Sequence, residues 1–115
     1  MRRDKLFLLK PGFKDPDYPG REFYCWHCAL MEGVLALFPE MAQRLDVERI
    51  AWPRPRQPVI ALVGEQNQSL PVLVLADGQS CLHQTGVHER RAFISDKEKI
   101  LAALSGRHGF PHPHP

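Results

Sequence analysis

Two cysteines three positions apart, in the run Cys25-Trp26-His27-Cys28, are the residues of this sequence whose spacing best suits chemistry. They precede a stretch, Ala29 to Phe38, that is predicted to be a helix. One helical turn brings such cysteines to roughly 5–6 Å between Cα atoms, the usual range for a disulfide. Unpaired N–H groups and the positive end of the helix dipole favour a thiolate at Cys25. The pattern therefore indicates a thiol–disulfide redox site, although zinc sites also use C-x-x-C.

In a redox pair of this kind, Cys25 is the attacking thiolate and Cys28 is the thiol that resolves the mixed disulfide. A charged or hydrogen-bonding His27 would favour the thiolate and make the disulfide more oxidising. Two alternatives remain open. The cysteines are inert in a non-enzymatic binding module, or they bind zinc together with Cys81 and His83, a set in which His27 can substitute.

Length and composition exclude several classes of protein. The 115 residues, 43% hydrophobic and 24% charged, predict a single globular domain over residues 1–115. A net charge of +2 without a basic run argues against nucleic-acid binding. Leu6–Leu9 is shorter than the roughly 7–15 apolar residues of a secretory signal, and no stretch reaches the ~20 residues of a membrane span. The expected location is the cytoplasm, and no membrane partner is expected.

The first half of the sequence predicts a strand, the helix with the cysteines, and a second strand. Leu6–Leu9 is a continuous apolar run, typical of a strand buried on both faces. Residues 11–24, rich in proline and glycine, are expected to form a loop. Val47–Trp52 is the second strand. The helix is predicted to be largely buried, with Leu30, Val34, Leu37 and Phe38 on one stripe and Met31 and Leu35 beside it.

The second half predicts a short helix, a hairpin and a last helix. Pro58 suits the first turn of the short helix, and Gly64 suits the position after its end. Leu70–Leu75 is the clearest strand, and Asp77-Gly78 is a two-residue hairpin turn that leads to a strand at Ser80–His83. The remaining expectations are a loop at 85–94, a helix opened by the capping box Ser95–Glu98 and stopped at Gly106, and an extended tail at 106–115.

The resulting order, β-α-β-α-β-β-α, predicts an α/β fold with a mixed sheet of about four strands and helices on both faces. The Asp77-Gly78 turn would place Val74 opposite Cys81 and Pro71 opposite Gln84. If the third strand runs antiparallel to the first, Cys25, Pro71 and Gln84 meet at one edge of the sheet. Such an edge, beyond the carboxyl ends of parallel strands, is where sites of α/β proteins usually lie.

On these residues the chain resembles the thioredoxin-like superfamily, above all glutaredoxins and the glutathione-binding domain of glutathione transferases. Cys25-x-x-Cys28 matches the redox motif, and Ser69–Leu73 resembles the segment whose proline, here Pro71, is cis. In that superfamily the backbone before the proline, here Leu70, hydrogen-bonds an extended peptide or glutathione. Leu82–Thr85 resembles the transferase segment that holds the γ-glutamyl end.

The resemblance implies a thiol–disulfide oxidoreductase with no cofactor other than glutathione as a possible co-substrate. Its partner is then glutathione or a protein thiol or disulfide, and nothing indicates the oligomeric state. Arg54 and Arg56 would either face a glutathione carboxylate or be solvated. The expected site residues are Cys25 and Cys28 as catalytic residues, with Trp26, His27, Leu70, Pro71, Gln84 and Thr85 as substrate contacts.

Two further comparisons qualify the resemblance. Phe23–Cys28 and Ala51–Arg56 resemble a small bacterial family of thioredoxin-like proteins, from which no activity is carried over. The chain also departs from the superfamily pattern, because the 11–24 loop is long and Trp26 is bulky where glycine or proline is common. A second, all-helical domain is missing, which argues against a complete transferase.

Overall fold

A five-stranded mixed sheet runs through the protein, and helices cover both of its faces. The structure is a computed structural model that describes residues 1–115. None of its helices has the length and apolar character needed to cross a membrane. The predicted α/β class is confirmed. The strands are β1 (Lys5–Leu9), β2 (Asp46–Ile50), β3 (Val72–Val74), β4 (Gly86–His88) and β5 (Arg91–Ile94), and the helices are α1 (Trp26–Leu37), α2 (Pro39–Ala42), α3 (Gln57–Val63) and α4 (Lys97–His108).

The order of the strands across the sheet is β2-β1-β3-β5-β4. β1 and β2 are parallel, and Leu9 lies opposite Ile50 at their carboxyl ends. β3 is antiparallel to β1, the orientation on which the expected meeting of Cys25 and Pro71 depended, and Val72 at its start lies opposite Phe7. The end of β1 and the start of β3 therefore share one edge of the sheet, which we name the cysteine edge because the C-x-x-C motif follows β1.

The continuous apolar run of β1 is explained by burial on both faces. Leu6 and Leu8 pack in the larger core, which α1 and α4 cover. Phe7 points to the opposite face and packs in a smaller core against Val59 and Val63 of α3. Because successive strand residues alternate between faces, both sets must be apolar. Burial on this scale fixes the register of β1, and so the position at which the chain leaves the sheet towards Cys25.

The predicted hairpin at Asp77-Gly78 is wrong. These residues do form a turn, but the chain that follows builds no strand at Ser80–His83. The hairpin joins β4 to β5 instead, inside the stretch 85–94 that was expected to be loop, and the sheet has five strands rather than four. Its turn residues Glu89 and Arg90 have φ of 47° and 69°. Glycine or asparagine usually occupies such positions, so the sequence carries no signal for this turn.

The predicted inward face of α1 is wrong in part. Leu30 is 40% exposed and Leu37 is 72% exposed, whereas Val34 and Phe38 pack against the core. The buried residues are Met31 and Leu35, which were expected beside the stripe, and Cys28. The helix begins at Trp26, earlier than expected, and the packing of Cys28 against the end of β1 sets which side faces the sheet. The helix is therefore half exposed, and its apolar composition alone did not indicate its orientation.

The last helix runs further than predicted. α4 continues through Gly106 and ends at Gly109, whose φ of 76° is the left-handed conformation common after a helix. Phe110 then folds back into the core, so the expected extended tail at 106–115 begins only after that residue. An interior glycine costs a helix about 1 kcal/mol, which the buried face of α4 outweighs. The predicted start is close, since the Asp96 carboxylate accepts the N–H of Lys99 at 2.9 Å.

The β4–β5 hairpin offers a test of the fold at Gly86. A Cβ added there would clash with the ring of Phe93, a buried residue of β5. We expect Gly86→Ala to lower the free energy of unfolding by about 1–3 kcal/mol, measured by urea denaturation. Gly33→Ala is the matched control, because a Cβ on that exposed turn of α1 meets nothing within 4 Å. It should raise stability by about 0.5–1 kcal/mol; equal effects of the two changes would contradict this packing.

Candidate active site at the Cys25–Cys28 pair

Cys25 is the N-cap residue of α1, so the predicted position of the motif at a helix start is confirmed. Its backbone is extended, and its carbonyl accepts the N–H of Ala29 at 2.9 Å. Its sulfur accepts the N–H of Cys28 at 3.2 Å. The sulfur thus takes the place of the oxygen that a serine or aspartate cap would supply. A backbone donor and the positive end of the helix dipole therefore both lie against this sulfur.

Cys28 lies one turn into the helix and is 1% exposed. The N–H of Leu9, at the end of β1, donates to its sulfur at 3.4 Å. Burial, with the hydrogen bond and charge of Cys25 adding to it, raises the pKa of Cys28 to about 12. Cys28 is therefore a protonated thiol at neutral pH, whereas Cys25 is the partly exposed member of the pair.

This asymmetry predicts selective alkylation. At pH 8 a thiol whose pKa is about 12 is ionised to roughly one part in 10⁴, about a thousandfold less than a thiol of ordinary pKa. We therefore expect iodoacetamide to modify Cys25 and leave Cys28 unmodified in the folded, reduced protein. Peptide mass spectrometry of a Cys81→Ser variant would locate the label. Equal labelling of the two cysteines in folded protein would contradict the burial and pKa of Cys28.

Leu70 and Pro71 lie beside the pair. The carbonyl of Leu70 is 3.8 Å from the sulfur of Cys25, across 45 positions of sequence. The peptide bond between Leu70 and Pro71 is cis, as expected, and Pro71 is buried. Neither backbone group of Leu70 pairs with another backbone group. The structure therefore brings together Cys25, Leu70 and Pro71, and the carbonyl of Leu70 accepts the thiol of Cys25 while its N–H pairs with no other backbone group.

Trp26 and His27 are the two residues between the cysteines. The indole of Trp26 is 66% exposed, and the ammonium of Lys97, at the start of α4, lies 5.7 Å from its ring centroid. The ring of His27 packs on Trp26 with centroids 3.7 Å apart. Its Nε2 is buried and has no hydrogen-bond partner. Lys97 was not anticipated as a neighbour of the motif, since the sequence indicated it only as part of a helix cap.

Gln84 and Thr85 do not join the pair as predicted. Both residues directly precede β4, which is separated from β3 by β5. Two strand spacings put them about 10 Å from Pro71 across the sheet. The side-chain oxygen of Gln84 accepts the N–H of Cys81 at 3.1 Å. The hydroxyl of Thr85 accepts the N–H of Ser95 at 2.9 Å. The expected pairing of Gln84 with Pro71 fails because it rested on the wrong hairpin.

Arg56 is neither solvated nor free to meet a ligand. It is buried, and its guanidinium donates to the carbonyls of Trp52 and Gln68 at 2.6–3.0 Å. Burial, with the nearby charge of Arg54, lowers the pKa of Arg56, while the charges of the two cysteines oppose that shift. Its positive charge thus acts on the pair at a distance, and its hydrogen bonds brace the loop after β2. Arg54 is exposed.

The zinc set considered from the sequence is not assembled. The structure holds no cluster of three or more histidine, cysteine, aspartate or glutamate side chains placed to bind a metal ion. Cys81 lies in the irregular segment after Gly78 rather than in a strand, and its sulfur accepts the N–H of His83 at 3.3 Å. The neighbours that the zinc hypothesis needed therefore do not converge on Cys25 and Cys28.

A pocket of about 250 Å³ opens beside the pair, and sequence reasoning missed most of its wall. Glu32 is the charged residue in that wall, and Arg49 binds its carboxylate through two contacts of 2.7 and 2.8 Å. Two signals were available, because Tyr24 directly precedes the motif and Glu32 follows Cys28 by one helical turn. The lining residues are Leu9, Pro11, Tyr24, Cys25, Cys28, Ala29 and Glu32.

Comparison with known families gives one match. Residues 3–112 match a family model described as "Protein of unknown function (DUF3088)". No curated protein and no solved structure matches the chain. The family match covers nearly the whole chain, including every strand and every helix.

Proposed function

Since the chain belongs to the DUF3088 family, whose description assigns no activity, we propose a function from the geometry of its site: a thiol–disulfide oxidoreductase with a thioredoxin-like fold. Cys25 is the nucleophile, and Cys28 is the resolving thiol. The observation that carries the proposal is the asymmetry of the pair. The partly exposed sulfur of Cys25 caps α1, and the buried thiol of Cys28 lies three residues later, one turn into the helix.

The proposed reaction is two thiol–disulfide exchanges. The thiolate of Cys25 attacks one sulfur of a substrate disulfide, so that a Cys25–substrate disulfide forms and the other substrate sulfur leaves as a thiolate. Cys28 then attacks the sulfur of Cys25, its proton passes to a departing thiolate, and a Cys25–Cys28 disulfide forms. The substrate gains two electrons, and the protein loses two. An external thiol or dithiol reductant restores the pair, and the reverse sequence oxidises a substrate dithiol.

The raised pKa of Cys28 fits the second step rather than the first. A buried thiol that stays protonated does not compete for the substrate disulfide, and it does not resolve the mixed disulfide until substrate binding and proton loss permit attack. The first sulfur needs access to solvent, which Cys25 has. The two sulfurs therefore have different roles, because Cys25 lies at the N-cap of α1 and Cys28 lies in its first turn.

The topology supports a thioredoxin-like assignment. A parallel β1–β2 pair is connected through α1, and β3 lies antiparallel beside β1 and starts next to the cysteines. The motif stands at the beginning of α1, and Leu70 contacts Cys25 from the start of β3. The N–H of Leu70 pairs with no backbone carbonyl and is available for an extended substrate segment, as the resemblance implies.

A trapped mixed disulfide tests this function. A Cys28→Ser, Cys81→Ser variant keeps the nucleophile and removes both other thiols. An excess of peptide disulfide should therefore leave one of the two disulfide-linked peptides attached to Cys25. Intact-mass and peptide mass spectrometry would detect and locate the adduct. A Cys25→Ser, Cys81→Ser variant is the matched control and should stay unmodified. Absence of an adduct at Cys25 under conditions in which free cysteine reacts would refute the proposal and favour the non-enzymatic binding module.

A further inference from the structure

We infer that the substrate is a polypeptide disulfide with a large apolar side chain two positions from the reacting cysteine, and that the pocket next to Cys25 receives that side chain. This inference rests on the proposed function and narrows its substrate class, since the sequence left glutathione and protein disulfides equally open.

The pocket has the size and surface for one apolar side chain. Its volume of about 250 Å³ is below the roughly 300–1,000 Å³ typical of sites that enclose a whole small molecule. Leu9, Pro11, Tyr24 and Ala29 line it together with the two cysteines. Because Cys25 forms part of the wall, a side chain bound there belongs to a residue close in space to the disulfide under attack.

The charge of the pocket disfavours glutathione. That tripeptide carries two carboxylates and one ammonium group, whereas the charged group in the wall is the carboxylate of Glu32, which Arg49 already binds through two short contacts. Arg56 is buried with its donors on backbone carbonyls. The carboxylates of glutathione therefore meet no free cation in the pocket wall. A neutral apolar side chain needs none.

The position of the pocket also suits an extended peptide. Cys25 lines the pocket, and its sulfur lies 3.8 Å from the carbonyl of Leu70. A strand-like substrate can pair its backbone with Leu70 while the side chain two positions from its cysteine enters the pocket, since alternate residues of a strand share one face and lie roughly 6.6 Å apart. Tyr24 is 65% exposed and adds an aromatic surface to the wall.

The test compares disulfides that differ in one position. Two short peptides with Leu or Ser two positions from a cysteine, each as a mixed disulfide with the same aromatic thiol, would be reduced by the wild-type protein with excess dithiol as donor. Oxidised glutathione and bis(2-hydroxyethyl) disulfide complete the series. We expect kcat/KM for the Leu peptide to exceed that for the Ser peptide by roughly 10–100-fold, and oxidised glutathione to be the poorer substrate.

A variant series assigns the preference to the pocket. Ala29→Leu adds a larger side chain to the pocket wall and should reduce the ratio of kcat/KM for the Leu and Ser peptides to near 1. Tyr24→Ser is a second variant, which removes a side chain from the wall instead of enlarging one. Leu37→Ala, at the far exposed end of α1, is the matched control and should keep the wild-type ratio. A ratio near 1 in wild-type protein, or oxidised glutathione as the best substrate, overturns this inference and leaves the proposed function standing. Failure to reduce any disulfide, including bis(2-hydroxyethyl) disulfide, overturns both.

Discussion

Cys25→Ser is expected to reduce the rate of disulfide exchange by roughly a thousandfold or more, because a hydroxyl is not a nucleophile for a disulfide sulfur at neutral pH. The variant should fold normally, since serine is a preferred N-cap residue and Cys25 caps α1. The measurement is turnover of a peptide disulfide with dithiol as donor, alongside circular dichroism and urea denaturation. Retained turnover in a folded Cys25→Ser protein would show that another group carries the reaction.

The matched control is Cys81→Ser. Cys81 is a partly exposed thiol like Cys25, but it lies outside any helix start and its sulfur accepts the N–H of His83. We expect turnover within about twofold of wild type, because surface substitutions away from a site change little. The contrast between the two variants separates the effect of the helix start from that of losing any one thiol.

Asp4→Ala is expected to lower the free energy of unfolding by about 3–5 kcal/mol, since it removes one partner of a buried ion pair and leaves cations uncompensated. The carboxylate of Asp4 accepts bonds from Arg107 at 2.7 and 2.9 Å and from Nε2 of His108 at 2.7 Å. It also accepts the N–H of Ala76 at 2.8 Å. One buried group thus ties the start of β1 to the end of α4 and to the chain that leaves β3.

The same network predicts a pH dependence. Burial alone would raise the pKa of Asp4, but the hydrogen bonds from His108, Arg107 and Ala76 hold it well below its ordinary value. A lowered pKa contributes stability that is present above the unfolded value, about 3.9, and is lost as pH falls below it. We expect urea midpoints of wild type to fall between pH 5 and pH 3 more steeply than those of Asp4→Ala.

The matched control for Asp4 is Asp46→Ala. Asp46 begins β2 and is exposed, with no side-chain hydrogen bond or ion pair. Its loss should change stability by less than about 0.5 kcal/mol and leave the acid slope intact. If Asp46→Ala and Asp4→Ala destabilise the protein equally, or if the acid slope survives in Asp4→Ala, the buried network does not stabilise the fold as described.

Local signals made the centre of the site predictable. The apolar run before the motif, the helical stretch after it and the proline at position 71 each specify one element or one bond, and together they place Cys25 beside Leu70. The antiparallel relation of β3 to β1 could also be anticipated. These features depend on a few neighbouring residues, so they do not require knowledge of the rest of the sheet.

Pairings and contacts between segments far apart in the sequence could not be predicted in this way. Asp77-Gly78 is a stronger hairpin signal than Glu89-Arg90, yet β5 pairs with β3 because Ala92, Phe93 and Ile94 bury apolar surface there, whereas Ser80–His83 offers little. The pocket escaped notice because its wall joins β1, the 11–24 loop and α1, which meet only after folding. The sequence left Arg56 as either a ligand contact or a solvated side chain, because it does not reveal that the guanidinium donates to backbone carbonyls.

The most direct test of the account is a redox titration of the Cys25–Cys28 pair. Cys81→Ser protein would be equilibrated in dithiol–disulfide buffers of graded potential, quenched in acid, labelled and analysed by mass spectrometry. We predict a single reversible two-electron transition between the dithiol and an intramolecular Cys25–Cys28 disulfide. A pair that stays reduced at every potential, or that oxidises only between molecules, would contradict the assignment of this site to disulfide exchange.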